Sequence, residues 1–243
     1  MLTWTAAGAR RFFTSTSNTL APYSIASASP GRLLIYSSAT GSVDFRNGAY
    51  LGGTPEMGLQ SAAMVEMGRY YDLPSSSAGC TSDAKQPGPQ AVLEKLVTTF
   101  PPVSVGSDII VGIGEIESDQ VLILEQLVVD NEIAHFCERL CAGVDSSAAQ
   151  DLYEDIAQIG PGGNFLKSRQ TRLAARSNEF FTPSLIGHHS YEAWLNLGKP
   201  TMYNRAREKV EEILAAPLVD SMSESISREL DEILLAADKE LAA

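Results

Sequence analysis

The chain has 243 residues, 44% apolar and 20% charged, an ordinary composition for a soluble globular protein with length for one sizeable core or two small ones. A formal net charge of −12 and a pI near 4.7 argue against a general nucleic-acid binder and an anionic membrane surface as partner; they suit a cationic substrate, though acidity ordinarily serves solubility. No apolar run of about 18 residues reads as a transmembrane helix, no secretory signal is visible, and the 3 cysteines form no disulfide framework, which predicts a reduced, cytoplasmic protein.

Met1–Pro30 carries little pattern: a helix in the first dozen residues and another at Asn18–Ser27, neither with an apolar stripe. Leu33–Ser38 is the first expected strand, an apolar run turning polar at its end, as strands buried in a parallel sheet do. A loop with Asp44, Arg46 and Asn47 leads to a glycine-rich stretch. There Thr54 is the expected N-cap and Pro55 the first helical residue. Met57, Ser61, Met64, Val65, Gly68 and Tyr71 share one face of that helix, and Pro74 ends it. Ser75–Gly79 is a small-residue strand opening into the polar loop Gly79–Lys85, and Pro89 starts the next helix. Its expected face is Val92, Leu93, Leu96, Val97 and Phe100, with Pro101-Pro102 as the stop.

Asp108–Ile113 is the third expected strand; Gly112 and Gly114 at its end allow close backbone approach. Glu115, Glu117 and Asp119 follow, and helix is expected from about Val121. From Asp130 onward Ile133, Phe136, Cys137, Leu140 and Cys141 recur one turn apart until Gly143. Beyond it no strand is expected. Asp145 or Ser146 caps a helix holding Leu152, Ile156 and Ile159, broken at Gly160–Gly163. Further helices are expected near Lys167–Ser177, Ser190–Leu197, Thr201–Ala215 and Ser223–Leu241. A helix–strand–loop–helix order means α/β with a parallel sheet. Three strands are too few for a closed barrel of eight βα units, which needs about 250 residues, and an open sheet leaves edges uncovered. The pattern therefore reads as the C-terminal part of something larger, or as a chain whose sheet a partner completes.

The segments PGRLLIYSSAT (Pro30–Thr40), GAYLGGTPEMGLQSAAMVEMGRYYDLPSSSAG (Gly48–Gly79), SDAK (Ser82–Lys85) and LEQLVVDNEI (Leu124–Ile133) occur in an order that resembles the trimethylamine methyltransferase family. IGPGGNFL (Ile159–Leu166), FFTPSL (Phe180–Leu185), SYEAW (Ser190–Trp194) and RAREKVEEIL (Arg205–Leu214) continue it to the C-terminus. These are corrinoid-dependent methyltransferases that include glycine betaine enzymes. The resemblance implies the C-terminal part of a TIM (β/α)8 barrel, Pro30–Gly143 supplying βα units and 144–243 a helical tail. It implies a methylated amine at the C-terminal mouth and, as methyl acceptor, a corrinoid (cobamide) on a separate corrinoid protein that docks there. No cofactor would be bound permanently, and a homo-oligomer stays open. Family members are about twice as long, so only their C-terminal half is matched. No pyrrolysine is present, which places the chain nearer the members acting on betaine-like compounds.

In such a reaction the corrinoid is the nucleophile, and the protein's task is to hold and dehydrate a cation with aromatic faces and carboxylates. Candidates sit at C-terminal strand ends or in the following loops: Tyr36 and Ser38, Cys80 and Asp83, Glu115 and Glu117, with Phe165 closing over the mouth. Each has a plainer alternative. Tyr36 packs inside the barrel, Asp83 caps the next helix, Glu115 and Glu117 are solvated, and Phe165 is core or lid packing. The family pattern is one residue longer just before Glu117, which bears on Glu115. His135, Cys137 and Cys141 are better read as helix core than as metal ligands, His188-His189 as a surface pair, and Gly112-Ile113-Gly114 lacks the third glycine of a dinucleotide fingerprint. The rivals to an amine methyltransferase are a catalytically inactive truncated paralogue acting as a binding or assembly module, and a stand-alone module for small cations.

Overall fold

The computed structural model describes residues 35–145, 152–177, 179–217 and 223–241. The first part runs β1 (Tyr36–Ser38), β2 (Ser42–Val43), β3 (Tyr50–Leu51), α1 (Pro55–Tyr70), β4 (Ser75–Ala78), α2 (Pro89–Ser104), β5 (Ile109–Val111), β6 (Glu115–Ile116), β7 (Val121–Leu122) and α3 (Leu124–Ala142). Strands β1, β4 and β5 form a parallel sheet in that order, with Tyr36 opposite Ser75 and Ser76 opposite Ile109. Each crossover between them contains one helix, the α/β arrangement expected from the sequence. The strands β2–β3 and β6–β7 are two-residue antiparallel ribbons in the loops that follow β1 and β5.

The rest is helical among the described residues: α4 (Tyr153–Ile159), a 3-10 turn at Phe165–Lys167, α5 (Arg169–Ala174), α6 (Tyr191–Asn196), α7 (Met202–Ala215) and α8 (Glu224–Leu241). No helix among the described residues is long and apolar enough to cross a membrane. Ser168, Ser190 and Thr201 cap α5, α6 and α7 through their hydroxyls, and Thr201 with Asn204 completes a capping box. The readings of Met1–Pro30 and of the Ser146 cap lie outside the described residues.

Helix α1 follows its pattern closely. Thr54 stands at the N-cap and Pro55 at the first helical position, although the Thr54 hydroxyl makes no capping bond. Met57, Gly58, Ser61, Met64, Val65 and Gly68 are buried. Met64 and Val65 pack on Tyr36, with Tyr71 and Leu73 alongside. Helix α2 departs from expectation twice. Pro101 and Pro102 lie inside its last turn rather than ending it, and Ser104 Oγ donates to Pro101 O at 2.7 Å there. Its buried residues are Ala91, Lys95, Thr98, Thr99 and Pro102, while Leu93 is 64% exposed. The helix turns its small and polar stripe to the sheet because Lys95 finds partners there. Val92 and Leu96 pack sideways on the cluster Val129, Ile133, Cys137, Leu185 and Ala206 that joins α3 to α7.

The stretch expected to resume helix near Val121 instead pairs as β7 with β6, and α3 begins at Leu124. Along α3, Ile133 and Cys137 are buried and Phe136 packs at a tilt against Phe181, ring centroids 4.4 Å apart, but Leu140 and Cys141 are exposed, so the apolar stripe outruns the surface that covers it. The sheet face opposite the helices carries Ile109 and Val111, which are 43% and 46% exposed.

The α1–α2 contact is close because Pro101 has no N–H for Val97 O, and α1 meets that carbonyl with a glycine. A Cβ on Gly58 would stand 2.5 Å from Val97 O. Gly58→Ala should therefore destabilise the fold by about 1–3 kcal/mol, read as a lowered urea midpoint; an unchanged midpoint would mean that α1 and α2 separate freely.

Candidate functional site at the strand ends

In a parallel sheet all C-terminal strand ends lie on one side, and the loops after β1, β4 and β5 meet there. Asp83, in the loop after β4, joins them. Its Oδ1 accepts from Gly52 N at 2.8 Å and Ser118 Oγ at 2.6 Å, and its Oδ2 from Gly53 N at 3.0 Å. Gly52–Gly53 follow ribbon strand β3, and Ser118 lies in the turn between β6 and β7. Thr81 Oγ1 donates to Gly52 O at 2.7 Å, and Ser118 N to Ser82 O at 2.9 Å. Glu94 of α2 fastens the same loop, accepting from Ser82 Oγ at 2.7 Å and Asp83 N at 2.9 Å.

Beneath these loops lies a buried ion pair. Lys95 Nζ of α2 meets Asp130 Oδ2 of α3 at 2.7 Å, both side chains fully buried. The same ammonium donates to Cys80 O at 2.5 Å and Gly112 O at 3.1 Å, the backbone leaving β4 and β5. Asp130 Oδ2 also accepts from Gly114 N, and Oδ1 from Gln126 Nε2, each at 2.7 Å. All three ammonium protons and both carboxylate oxygens are thus used, as buried charges require. Gly112 adopts φ +100, and a Cβ there would stand 2.6 Å from Gly79 O. Glycine, with its left-handed φ and no Cβ, lets the backbone leaving β5 approach that leaving β4 this closely over Lys95.

The upper rim is acidic. The Glu115 carboxyl titrates above its ordinary value, first through burial and then through the charge of neighbouring Asp119. The Tyr50 phenol is likewise raised, by burial and then by Asp119 and Asp83. Tyr50 is 46% exposed and packs its ring on Gly41. Asp83, Glu115, Asp119 and Tyr50 therefore share one electrostatic neighbourhood. Glu117, Ser118 and Asp119 are three successive left-handed residues, at φ 56, 52 and 68, a costly conformation. The turn is pinned by Glu117 N to Ala84 O, Ser118 to Ser82 and Asp83, and Gln120 N to Ile116 O.

The structure gathers Asp83, Glu115 and Glu117 at this rim. Asp83 serves as the joint between loops and caps no helix. Glu117 pairs with Lys85 at 3.3 Å, on the surface. Tyr36 lies elsewhere: it opens β1 at the N-terminal end of the strand, and its buried ring turns toward α1 and lies 5.9 Å from Tyr71. Ser38 ends β1, and its side chain lies outside the described residues. Phe165 sits on the 3-10 turn beside α5, 42% exposed. Cys80 is buried directly over Lys95, and burial followed by the Asp130 charge pushes its thiol up to about 12. It is no thiolate at neutral pH.

Sequence reading passed over Lys95, Asp130, Gln126 and Tyr50. A signal existed in α2, where Ala91, Lys95, Thr98 and Pro102 repeat at helical spacing. Nothing local marks Tyr50, which is placed by a two-residue ribbon.

The strand ends of this α/β chain thus carry a group of carboxylates beside a partly exposed tyrosine. The family described as trimethylamine methyltransferase (MTTB) matches residues 14–241, and the chain belongs to that family. It is 35% identical over 210 residues to trimethylamine methyltransferase MttB of Methanosarcina barkeri, covering 86% of this chain and 42% of that protein. It is 28% identical over 216 residues to a glycine betaine methyltransferase of Desulfitobacterium hafniense (strain Y51), covering 88% and 45%. The chain spans less than half the length of these relatives.

The buried thiols give a pH signature. Cys80 is pushed up to about 12 and Cys137 to about 11, from an ordinary value of 9.0. Below pH 9 both states hold these protons, so stability is unaffected. Above it the unfolded chain releases them first, and stability falls through pH 11 and 12 by about 1.4 kcal/mol per pH unit per thiol. Urea midpoints from pH 8 upward should fall more steeply for the native chain than for a Cys80→Ala/Cys137→Ala variant; equal slopes would refute buried, protonated thiols.

Proposed function

We propose that this chain carries the substrate mouth of a methyltransferase acting on a methylated amine, with a corrinoid on a separate protein as methyl acceptor. The observation that carries the reading is the rim of Asp83, Glu115 and Asp119 around Tyr50, in a chain of the trimethylamine methyltransferase family. A methylated ammonium has no strong hydrogen-bond demand, so an aromatic face and nearby carboxylates suit it. Like-charge crowding at Glu115 and Asp119 is relieved when a cation arrives.

The reaction is displacement at carbon: one C–N bond breaks, the methyl group passes to the acceptor, and the electron pair stays on the departing amine nitrogen. The acceptor supplies the nucleophile. The protein's share is to orient the methyl group and exclude water. The buried, protonated Cys80 thiol offers no competing nucleophile. Among the predicted residues, Asp83 keeps its loops joined while adding charge, and Glu115 faces the cation. Glu117, paired with Lys85, lies at the margin.

The same reading makes β1, β4 and β5 with their helices three units of a (β/α)8 barrel. The matched relative is more than twice as long as the aligned stretch, and the exposed Ile109 and Val111 face is the kind of surface further strands would cover. That face also favours a narrower second reading, in which this chain serves only as a binding or assembly module until those strands are supplied.

Choline and its uncharged carbon analogue dimethylbutanol separate cation recognition from apolar binding. Titration into the folded, isotope-labelled chain should move the amides of Gly52, Asp83 and Ser118 saturably for choline alone, and Tyr50→Leu should weaken that affinity about ten-fold. Equal shifts for both compounds, or shifts away from these loops, would overturn the assignment.

A further inference from the structure

The hydrogen bonds under the mouth do not end at Asp130. Gln126, one turn earlier on α3 and fully buried, gives its amide nitrogen to Asp130 and receives the Tyr203 hydroxyl on its amide oxygen at 2.7 Å. Tyr203 belongs to the first turn of α7, in the helical tail, 77 residues further along the chain. A continuous path of donors and acceptors thus runs from α7 through Gln126 to Asp130, which takes both Gly114 N and the Lys95 ammonium, and from Lys95 on to Cys80 O and Gly112 O. Every step is buried or half-buried and 3.1 Å or shorter.

The path is oriented. Asp130 can only accept, so Gln126 must turn its nitrogen toward it; the amide oxygen is then fixed on the far side, where a donor is needed. Tyr203 supplies that donor. Without it, a buried amide oxygen loses its partner and the amide gains freedom to rotate, which would set its oxygen against the Asp130 carboxylate. We propose that Gln126 and Tyr203 are positioning residues: acting through Asp130 and Lys95, they fix the loops leaving β4 and β5, so that α7 helps hold the mouth in shape. The packing of α7 on α3 through Val129, Ile133 and Ala206 would otherwise be only a core contact. The polar path makes it a support for the strand ends. The importance of this support for catalysis rests on the function proposed above; its existence does not.

The test is thiol alkylation of the native chain. Cys80 lies at the strand end of the path and Cys137 in the α3–α7 core, and both are buried, at 2% and 0% exposure. Tyr203→Phe removes one hydroxyl and keeps the ring. It should speed labelling of Cys80 by roughly three- to ten-fold and leave Cys137 unchanged. Arg207→Ala breaks the exposed Arg207–Glu125 pair on the same helix and should move neither. Equal acceleration of both thiols would reduce Tyr203 to general stability, and no acceleration would remove it from the mouth; either overturns the proposal. In the unmutated chain the Gly114 amide should exchange only with global unfolding, and exchange as fast as in the β6–β7 turn overturns it too. Where choline binds, Tyr203→Phe should lower its affinity; where it does not, the thiol and amide readings still decide.

Discussion

Two opposite charges placed fully out of water are the feature on which this arrangement depends. Burying an ammonium or a carboxylate costs several kcal/mol each even after relaxation, and that cost is offset only where every proton and lone pair is used. Lys95 and Asp130 meet the condition by drawing in the backbone of two strand ends, so the pair cannot form unless β4, β5, α2 and α3 are all in place. The ion pair is therefore less a source of net stability than a specifier of geometry. It sets the height at which the loops leave the sheet, and Gly112 and the left-handed Cys80 accommodate that height.

Above the pair, negative charge accumulates. Asp83 is occupied by donors from two other loops, while Glu115 and Asp119 crowd one another on a turn whose backbone is held in an unfavourable conformation by hydrogen bonds to the loop after β4. Such cost is expected where a chain fixes groups for a ligand rather than for its own stability. The acidity of the whole molecule thus has a local counterpart at the strand ends, with Tyr50 supplying the aromatic surface.

The sequence disclosed the frame more fully than the site. Strand positions at Ser75 and Asp108, the Pro-led starts of α1 and α2, and the spans of α6, α7 and α8 follow from apolar periodicity and capping chemistry, whereas α5 stops at Ala174, short of the expected Ser177, and Leu152 is the N-cap of α4 rather than a residue inside it. The face of α2 did not, because periodicity assigns the apolar side inward, and here Lys95 outbids Leu93 by reaching strand-end carbonyls that no local pattern encodes. The ribbons β2–β3 and β6–β7 were missed because two residues carry no period, and with them went Tyr50. Tyr36 was legible as a strand residue, but which end of the strand and which sheet face it occupies depends on register with Ser75. The grouping of Asp83 with Glu115 and Glu117 was legible, since each follows a strand in a parallel sheet; that Asp83 joins loops was not.

A chain spanning less than half of its relatives' length still builds this support from its own residues. The most direct check is a double-mutant cycle in urea on Lys95→Met and Asp130→Leu. Each single change leaves an unpaired buried charge and should cost about 3–5 kcal/mol, whereas the double change should cost far less than the sum. A single variant too unstable to fold beside a folded double variant would be the same result in stronger form. Additive losses, or singles within about 0.5 kcal/mol of the native chain, would mean that Lys95 and Asp130 do not depend on one another, and the support beneath the mouth would have to be sought elsewhere.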